Sequence, residues 1–253
     1  MDEAYLDRVV CADSRSLPFV PDQVASLVVT SPPYNVGTRY ASHEDTMGLD
    51  DYLEFLGEVW RECGRILRPG GRLAVNVAGT NRTPYLPLHA HLARQLIDLG
   101  FLMRGEIVWS KGASVGVSTA WGSWRSPSNP TLRDVHEYIL VFSKEEYRLP
   151  GDRSAADIGP EEFTAWTRSI WEFPTTSAAR TGHPAPFPVE LPRRLIKLYT
   201  YPGDLIVDPF AGSGTTALAA RLTGRRFLAV DIDPDYVELA RRRLESSGEE
   251  AAG

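Results

Sequence analysis

Short runs of β-branched and aliphatic residues alternate along the chain with stretches whose apolar positions recur every three to four residues. That alternation predicts a parallel sheet with crossover helices. Strands are expected at Arg8–Cys11, Ser26–Thr30, Arg72–Val77, Phe101–Trp109, Glu137–Ser143, Leu205–Val207 and Phe227–Val230. The clearest helix is Leu49–Leu67, where Tyr52, Leu56, Val59, Trp60 and Cys63 form one apolar stripe before Pro69-Gly70-Gly71 ends it. Further helices are expected over Leu86–Leu99, Val189–Tyr199, Thr215–Thr223 and Pro234–Glu245, with Gly100 and Gly224 closing the first and third. The tail Ser246–Gly253 is small and polar and is expected to fray.

Two stretches break the rhythm. Residues 111–134 combine glycines, prolines and serines with Trp121 and Trp124, and a long loop in a compact domain is usually functional. Residues 145–182 are also irregular, polar and tryptophan-bearing.

Composition narrows the class. A chain of 253 residues with 43% hydrophobic content suits one domain spanning 1–253. No apolar run approaches the roughly 20 residues needed to cross a bilayer, and the opening MDEAYLDRVV lacks a signal-peptide pattern, so a cytoplasmic protein without membrane attachment is expected. Cys11 and Cys63 show no clustering with each other or with histidine, which predicts two small buried side chains, no disulfide and no metal site. The net charge of −6 argues mildly against a protein that coats nucleic acid. Yet Lys111, Arg125 and Arg133 all fall in the glycine- and tryptophan-rich stretch, where a local basic surface can form on an acidic body.

The first informative chemistry is Asp208-Pro209-Phe210-Ala211-Gly212-Ser213-Gly214-Thr215-Thr216, which follows an expected strand and opens an expected helix. Gly212 and Gly214 remove side chains where the backbone turns tightly, and a helix N-terminus offers N–H groups to a carboxylate or phosphate. Asp231 follows the next strand, where a carboxylate can accept hydrogen bonds from both hydroxyls of a ribose. By itself this arrangement suits either S-adenosylmethionine or a dinucleotide, because Gly212-x-Gly214-x-x-Ala217 satisfies both patterns.

Ser31-Pro32-Pro33-Tyr34 separates the two. It lies directly after an expected strand, and adjacent prolines force a stiff turn that directs acceptors outward while Tyr34 offers a flat face to a base. With Thr30 and Asn35 around that turn, Arg68-Pro69-Gly70-Gly71-Arg72, Asn129-Pro130, Arg133-Asp134-Val135-His136-Glu137-Tyr138, His183-Pro184-Ala185-Pro186-Phe187-Pro188 and Asp208–Thr216, the chain resembles the amino-methyltransferases of bacterial restriction-modification systems. The resemblance runs from Val9 to Arg243 and is to the group whose catalytic SPPY motif precedes its cofactor motif.

That resemblance implies a Rossmann-like α/β fold, a seven-stranded and mostly parallel sheet with helices on both faces. It implies S-adenosyl-L-methionine as cofactor, S-adenosyl-L-homocysteine as product, no metal, and double-stranded DNA as substrate. Asp208, Phe210, Gly212, Gly214 and Thr215 would surround the methionine part and Asp231 the ribose. Asp13 matches an acidic residue near the adenine, although Ala12 stands where the family commonly has glycine. His183, Pro184, Ala185 and Phe187 match the segment that closes over the carboxylate end. Ser31, Pro32, Pro33 and Tyr34 would hold a flipped base and its exocyclic amino group for direct in-line transfer. Lys111, Trp121, Trp124, Arg125 and Arg133 are candidates for DNA contact, the tryptophans being alternatively anchors of the loop to the core. Residues 145–182 match the position of a short target-recognition region.

Serine at the first motif position favours cytosine N4 over adenine N6. An RNA or protein amide methyltransferase would usually place the glycine motif first, and a catalytically silent DNA-binding relative would not need Ser31, Tyr34, Gly212 and Asp231 intact. A cognate restriction endonuclease and a monomeric or homodimeric state complete the expectations.

Overall fold

The computed structural model describes residues 3–34, 47–79, 84–112, 122–132, 134–176 and 187–250. Its strands are Arg8–Cys11 (β1), Ala25–Thr30 (β2), Leu67–Val77 (β3), Leu102–Ser110 (β4), His136–Ser143 (β5), Ile170–Glu172 (β6), Leu205–Asp208 (β7) and Arg226–Asp231 (β8). The helices are Leu49–Ile66 (α1), Leu88–Asp98 (α2), Pro160–Trp166 (α3), Glu190–Tyr199 (α4), Thr215–Leu222 (α5) and Pro234–Glu250 (α6). The strands form one sheet in the order β1-β8-β7-β2-β3-β5-β4-β6. Among them β5 runs antiparallel to its neighbours β3 and β4, and every other pair is parallel.

The apolar strands are buried on both faces, and their alternate residues feed two cores. Leu27, Ala74, Ile139, Ile206 and Ala229 pack with α4, α5 and α6. Val28, Leu73, Leu140, Val207 and Leu228 pack on the other face with α1 and α2. The chain is therefore an α/β protein with helices on both sides of a mostly parallel sheet.

This arrangement positions a crevice. Helix α1 carries the chain from β2 to β3 over one face, whereas α5 carries it from β7 to β8 over the other. Strands β2 and β7 are direct neighbours. The connections thus leave the carboxyl ends of adjacent strands in opposite directions, which is where open α/β sheets bind ligands.

Four expectations change. Residues 145–182 are not wholly irregular, because they contain α3 and an eighth strand, β6, added to the edge at β4. Trp171 is 1% exposed, its indole N–H donating to Trp166 O at 3.0 Å. Three residues are too few to show a period, so β6 is stabilised by this burial and not by a local pattern. The tail does not fray at Ser246, since α6 continues to Glu250. Cys63 is buried as expected, but Cys11 is exposed, because it ends the edge strand β1 where no further strand covers it. Finally, the helix after residue 86 begins at Leu88. Among the described residues no helix is long and apolar enough to cross a membrane.

Candidate active site

The crevice has two walls, one at the end of β7 and one at the end of β2. Asp208 closes β7 and is 2% exposed. Its Oδ1 accepts from Thr30 Oγ1 at 2.7 Å and from the Phe210 N–H at 3.1 Å. Burial pushes the Asp208 carboxyl up to about 6, although hydrogen bonds from Thr216 and Thr30 work in the opposite direction. Ser14 Oγ donates to Pro209 O at 2.7 Å, which brings the turn after β1 beside the turn after β7.

The glycines of this turn are required by geometry. Gly212 and Gly214 have φ of 48° and 74°, the left-handed region that side chains disfavour. Gly214 also caps α5, and a Cβ there would lie 2.9 Å from Ala240 Cβ on α6. Asp231, the last residue of β8, accepts the Gly212 N–H at 2.8 Å and the Asp233 N–H at 3.0 Å. Its carboxylate therefore braces the glycine turn. The Phe210 ring stands 6.1 Å from Phe55 and 6.4 Å from Trp60, so α1 supplies an aromatic wall. Thr215 is buried, and its hydroxyl accepts from Arg243 at 2.9 Å; that side chain ties α5 to α6.

At the second wall, Ser31-Pro32-Pro33-Tyr34 leaves the end of β2, and Tyr52 Oη of α1 donates to Pro33 O. Ser31 Oγ lies 2.8 Å from Tyr34 Oη, which donates to Glu137 Oε2 at 3.2 Å. Asn76 Nδ2 donates to the same carboxylate oxygen at 2.5 Å and to Tyr34 Oη at 3.2 Å. Lys111 Nζ pairs with Glu137 Oε1 at 2.6 Å. Asn76 lies on β3, Glu137 is the second residue of β5 and Lys111 follows β4, so three adjacent strands deliver this cluster to one tyrosine.

Sequence reasoning passed over Asn76 and Glu137 as site residues. A signal existed: Asn76 interrupts the apolar run Leu73–Val77 and Glu137 directly precedes the run Tyr138–Phe142, and polar groups buried with such runs need partners. Lys111, a candidate for DNA contact, forms an ion pair with Glu137, and its ammonium lies 5.8 Å from the centre of the Trp109 ring. Trp124 is 69% exposed and Arg125 beside it is exposed too, in a turn held by a Gly122–Pro130 bridge. Asp13 is engaged by Arg15 at 2.6 Å, and hydrogen bonding from that guanidinium holds its carboxyl below the usual range. Phe187 is partly buried against the core under α4. Trp121, Arg133, His183, Pro184 and Ala185 lie outside the described residues.

A family model described as DNA methylase matches residues 25–242. The type II methyltransferase M.MthZI of Methanothermobacter thermautotrophicus is 30% identical over 270 residues, covering 94% of this chain and 76% of that protein. The DNA adenine methyltransferase YhdJ of Escherichia coli (strain K12) is 29% identical over 237 residues, covering 89% of this chain and 78% of that protein. Among solved structures, a putative DNA modification methylase of Thermus thermophilus complexed with S-adenosyl-L-methionine superposes with a TM-score of 0.73 at 33% identity, covering 94% of this chain and 92% of that one.

Proposed function

Because the chain belongs to the N6/N4 DNA methylase family, whose model spans residues 25–242, we propose that it methylates the exocyclic N4 of cytosine in duplex DNA. The coarser activity is that of an S-adenosyl-L-methionine-dependent DNA amino-methyltransferase. The residues fit that cofactor. The left-handed turn at Gly212 and Gly214, the Phe210 ring and the carboxylate of Asp231 stand together at the carboxyl ends of β7 and β8. These groups suit an amino acid, a sulfonium and a ribose respectively. Asp13, Asp208, Thr215 and the segment His183, Pro184, Ala185 and Phe187 belong to the same proposed cofactor site. S-adenosyl-L-methionine supplies a methyl group on a positively charged sulfur.

The protein's part is positioning. A target nucleotide must leave the duplex, since its amino nitrogen is otherwise paired and stacked. Flipping costs a few kcal/mol, and stacking on Tyr34 offsets about 1–3 kcal/mol of it. The amino lone pair is delocalised into the ring, so acceptors at Ser31 Oγ and the Pro32 carbonyl draw its hydrogens and favour a more tetrahedral nitrogen. Pro33 stiffens the turn that holds them. Trp124 and Arg125, with Lys111, Trp121 and Arg133, are proposed to meet DNA, and residues 145–182 to contribute to target recognition.

Ser31 carries the choice of cytosine, because aspartate or asparagine is more usual at that position in the resembling adenine enzymes. Likeness to an adenine methyltransferase at 29% identity favours N6 of adenine as the second reading. DNA treated with the purified protein, digested to nucleosides and analysed by mass spectrometry separates them. N4-methylcytosine is expected; N6-methyladenine alone overturns the cytosine assignment. By analogy with the type II relative, a restriction endonuclease of the same site is a proposed partner, with the methyltransferase acting as monomer or homodimer.

A further inference from the structure

We propose that Glu137 is a positioning residue that sets the direction of a hydroxyl chain, so that Ser31 Oγ meets the target amino group as an acceptor. This inference rests on the amino-methyltransferase reading. Ser31 can serve the reaction only if its lone pairs, and not its hydrogen, are presented to an N–H donor. A serine hydroxyl rotates freely between those two states unless something fixes it.

The fixing begins at Glu137. A carboxylate only accepts hydrogen bonds, and that of Glu137 forms an ion pair with the Lys111 ammonium at 2.6 Å. Tyr34 Oη, 3.2 Å from Oε2, must therefore donate its one hydrogen to Glu137. With that hydrogen committed, the contact of 2.8 Å between Ser31 Oγ and Tyr34 Oη has one arrangement: Ser31 donates and Tyr34 accepts. The Ser31 lone pairs are then left to accept.

Asn76 obeys the same constraint. Its Nδ2 lies 2.5 Å from Glu137 Oε2 and 3.2 Å from Tyr34 Oη, both of which accept. The reversed amide would set its carbonyl oxygen against the carboxylate, a repulsive contact. Glu137 is 9% and Asn76 2% exposed, so water competes little for these bonds and each is strengthened by the low local polarity. A buried carboxylate thus determines, two bonds away, which end of a hydroxyl faces the base.

Two measurements test this. Neutron diffraction on deuterium-exchanged wild-type crystals is expected to place the Tyr34 deuteron toward Glu137 and the Ser31 deuteron toward Tyr34. A Tyr34 deuteron directed at Ser31 overturns the inference whether or not the protein methylates DNA. In DNA methylation kinetics, Glu137→Gln, whose amide can donate to Tyr34 and reverse the chain, is expected to lower kcat at least about fivefold. The KM for DNA and the affinity for S-adenosyl-L-methionine should each stay near wild type, while loss of the ion pair with Lys111 lowers the melting temperature. Tyr34→Phe breaks the chain, so adding Glu137→Gln to it should lower kcat no further. A smaller loss in the single variant, or full multiplication of the two losses, overturns the inference. A wild type that transfers no methyl group to DNA would instead overturn the function on which it rests, and the deuteron positions would then decide the inference.

Discussion

Thr30 Oγ1 donates to Asp208 Oδ1 at 2.7 Å, joining the last residue of β2 to the last residue of β7. One hydrogen bond thereby couples the turn proposed to hold the target base to the turn proposed to hold the cofactor. Relative displacement of the two would misalign the proposed in-line transfer, which tolerates little error.

Asp208 makes stability depend on pH. Its folded-state pKa is raised from 3.8 to about 6 by burial, so the folded protein binds the proton more tightly than the unfolded chain. Stability contributed by the protonated acid is present below about pH 4 and is lost as pH rises toward 6. Asp208→Asn keeps the acceptor oxygen and cannot ionise. Relative to wild type it should gain on the order of 2–3 kcal/mol between pH 4 and pH 7, read from urea unfolding without cofactor. An unchanged difference across that range would contradict the assignment.

Asp231→Ala should weaken S-adenosyl-L-methionine binding at least about tenfold in calorimetry, since the proposed charge-assisted bonds to ribose and the brace on the Gly212 N–H would vanish together. Wild-type affinity in this variant would remove Asp231 from the cofactor site.

Ser31→Ala and Tyr34→Ala should keep cofactor affinity and lose most turnover, because both residues belong to the wall formed at β2 and not to the glycine turn. Equal loss of cofactor binding in either variant would show that the roles assigned to the two walls are wrong.

Two glycines separate strain from crowding. Gly203 and Gly214 have φ of 83° and 74°, but nothing lies within 4 Å of a Cβ at 203, whereas Ala240 Cβ is 2.9 Å away at 214. Gly203→Ala should cost about 1 kcal/mol of unfolding free energy from backbone strain, and Gly214→Ala about 2–4 kcal/mol from strain plus overpacking. Equal costs would mean that α6 yields to the added methyl.

The sequence alone determined the features that are local. Alternating apolar runs and helical stripes gave the α/β class, most of the strands and the long helices, because each element's period follows from its own backbone geometry. The glycine turn at Gly212 and Gly214 and the double-proline turn at Pro32 and Pro33 were legible for a similar reason: those residue types constrain the backbone wherever they occur. What only the tertiary structure decided involves residues distant in the chain. Three residues gave β6 no period, and pairing with β4 and burial of Trp171 made it a strand. The ion pair of Lys111 with Glu137 at 2.6 Å exists because β4 pairs with β5. Asn76 and Glu137 stand 42 and 103 positions from Tyr34. Their shared contact exists because an antiparallel strand inserted beside β3 returns its first residues to the carboxyl edge of the sheet, and no local pattern encodes that register.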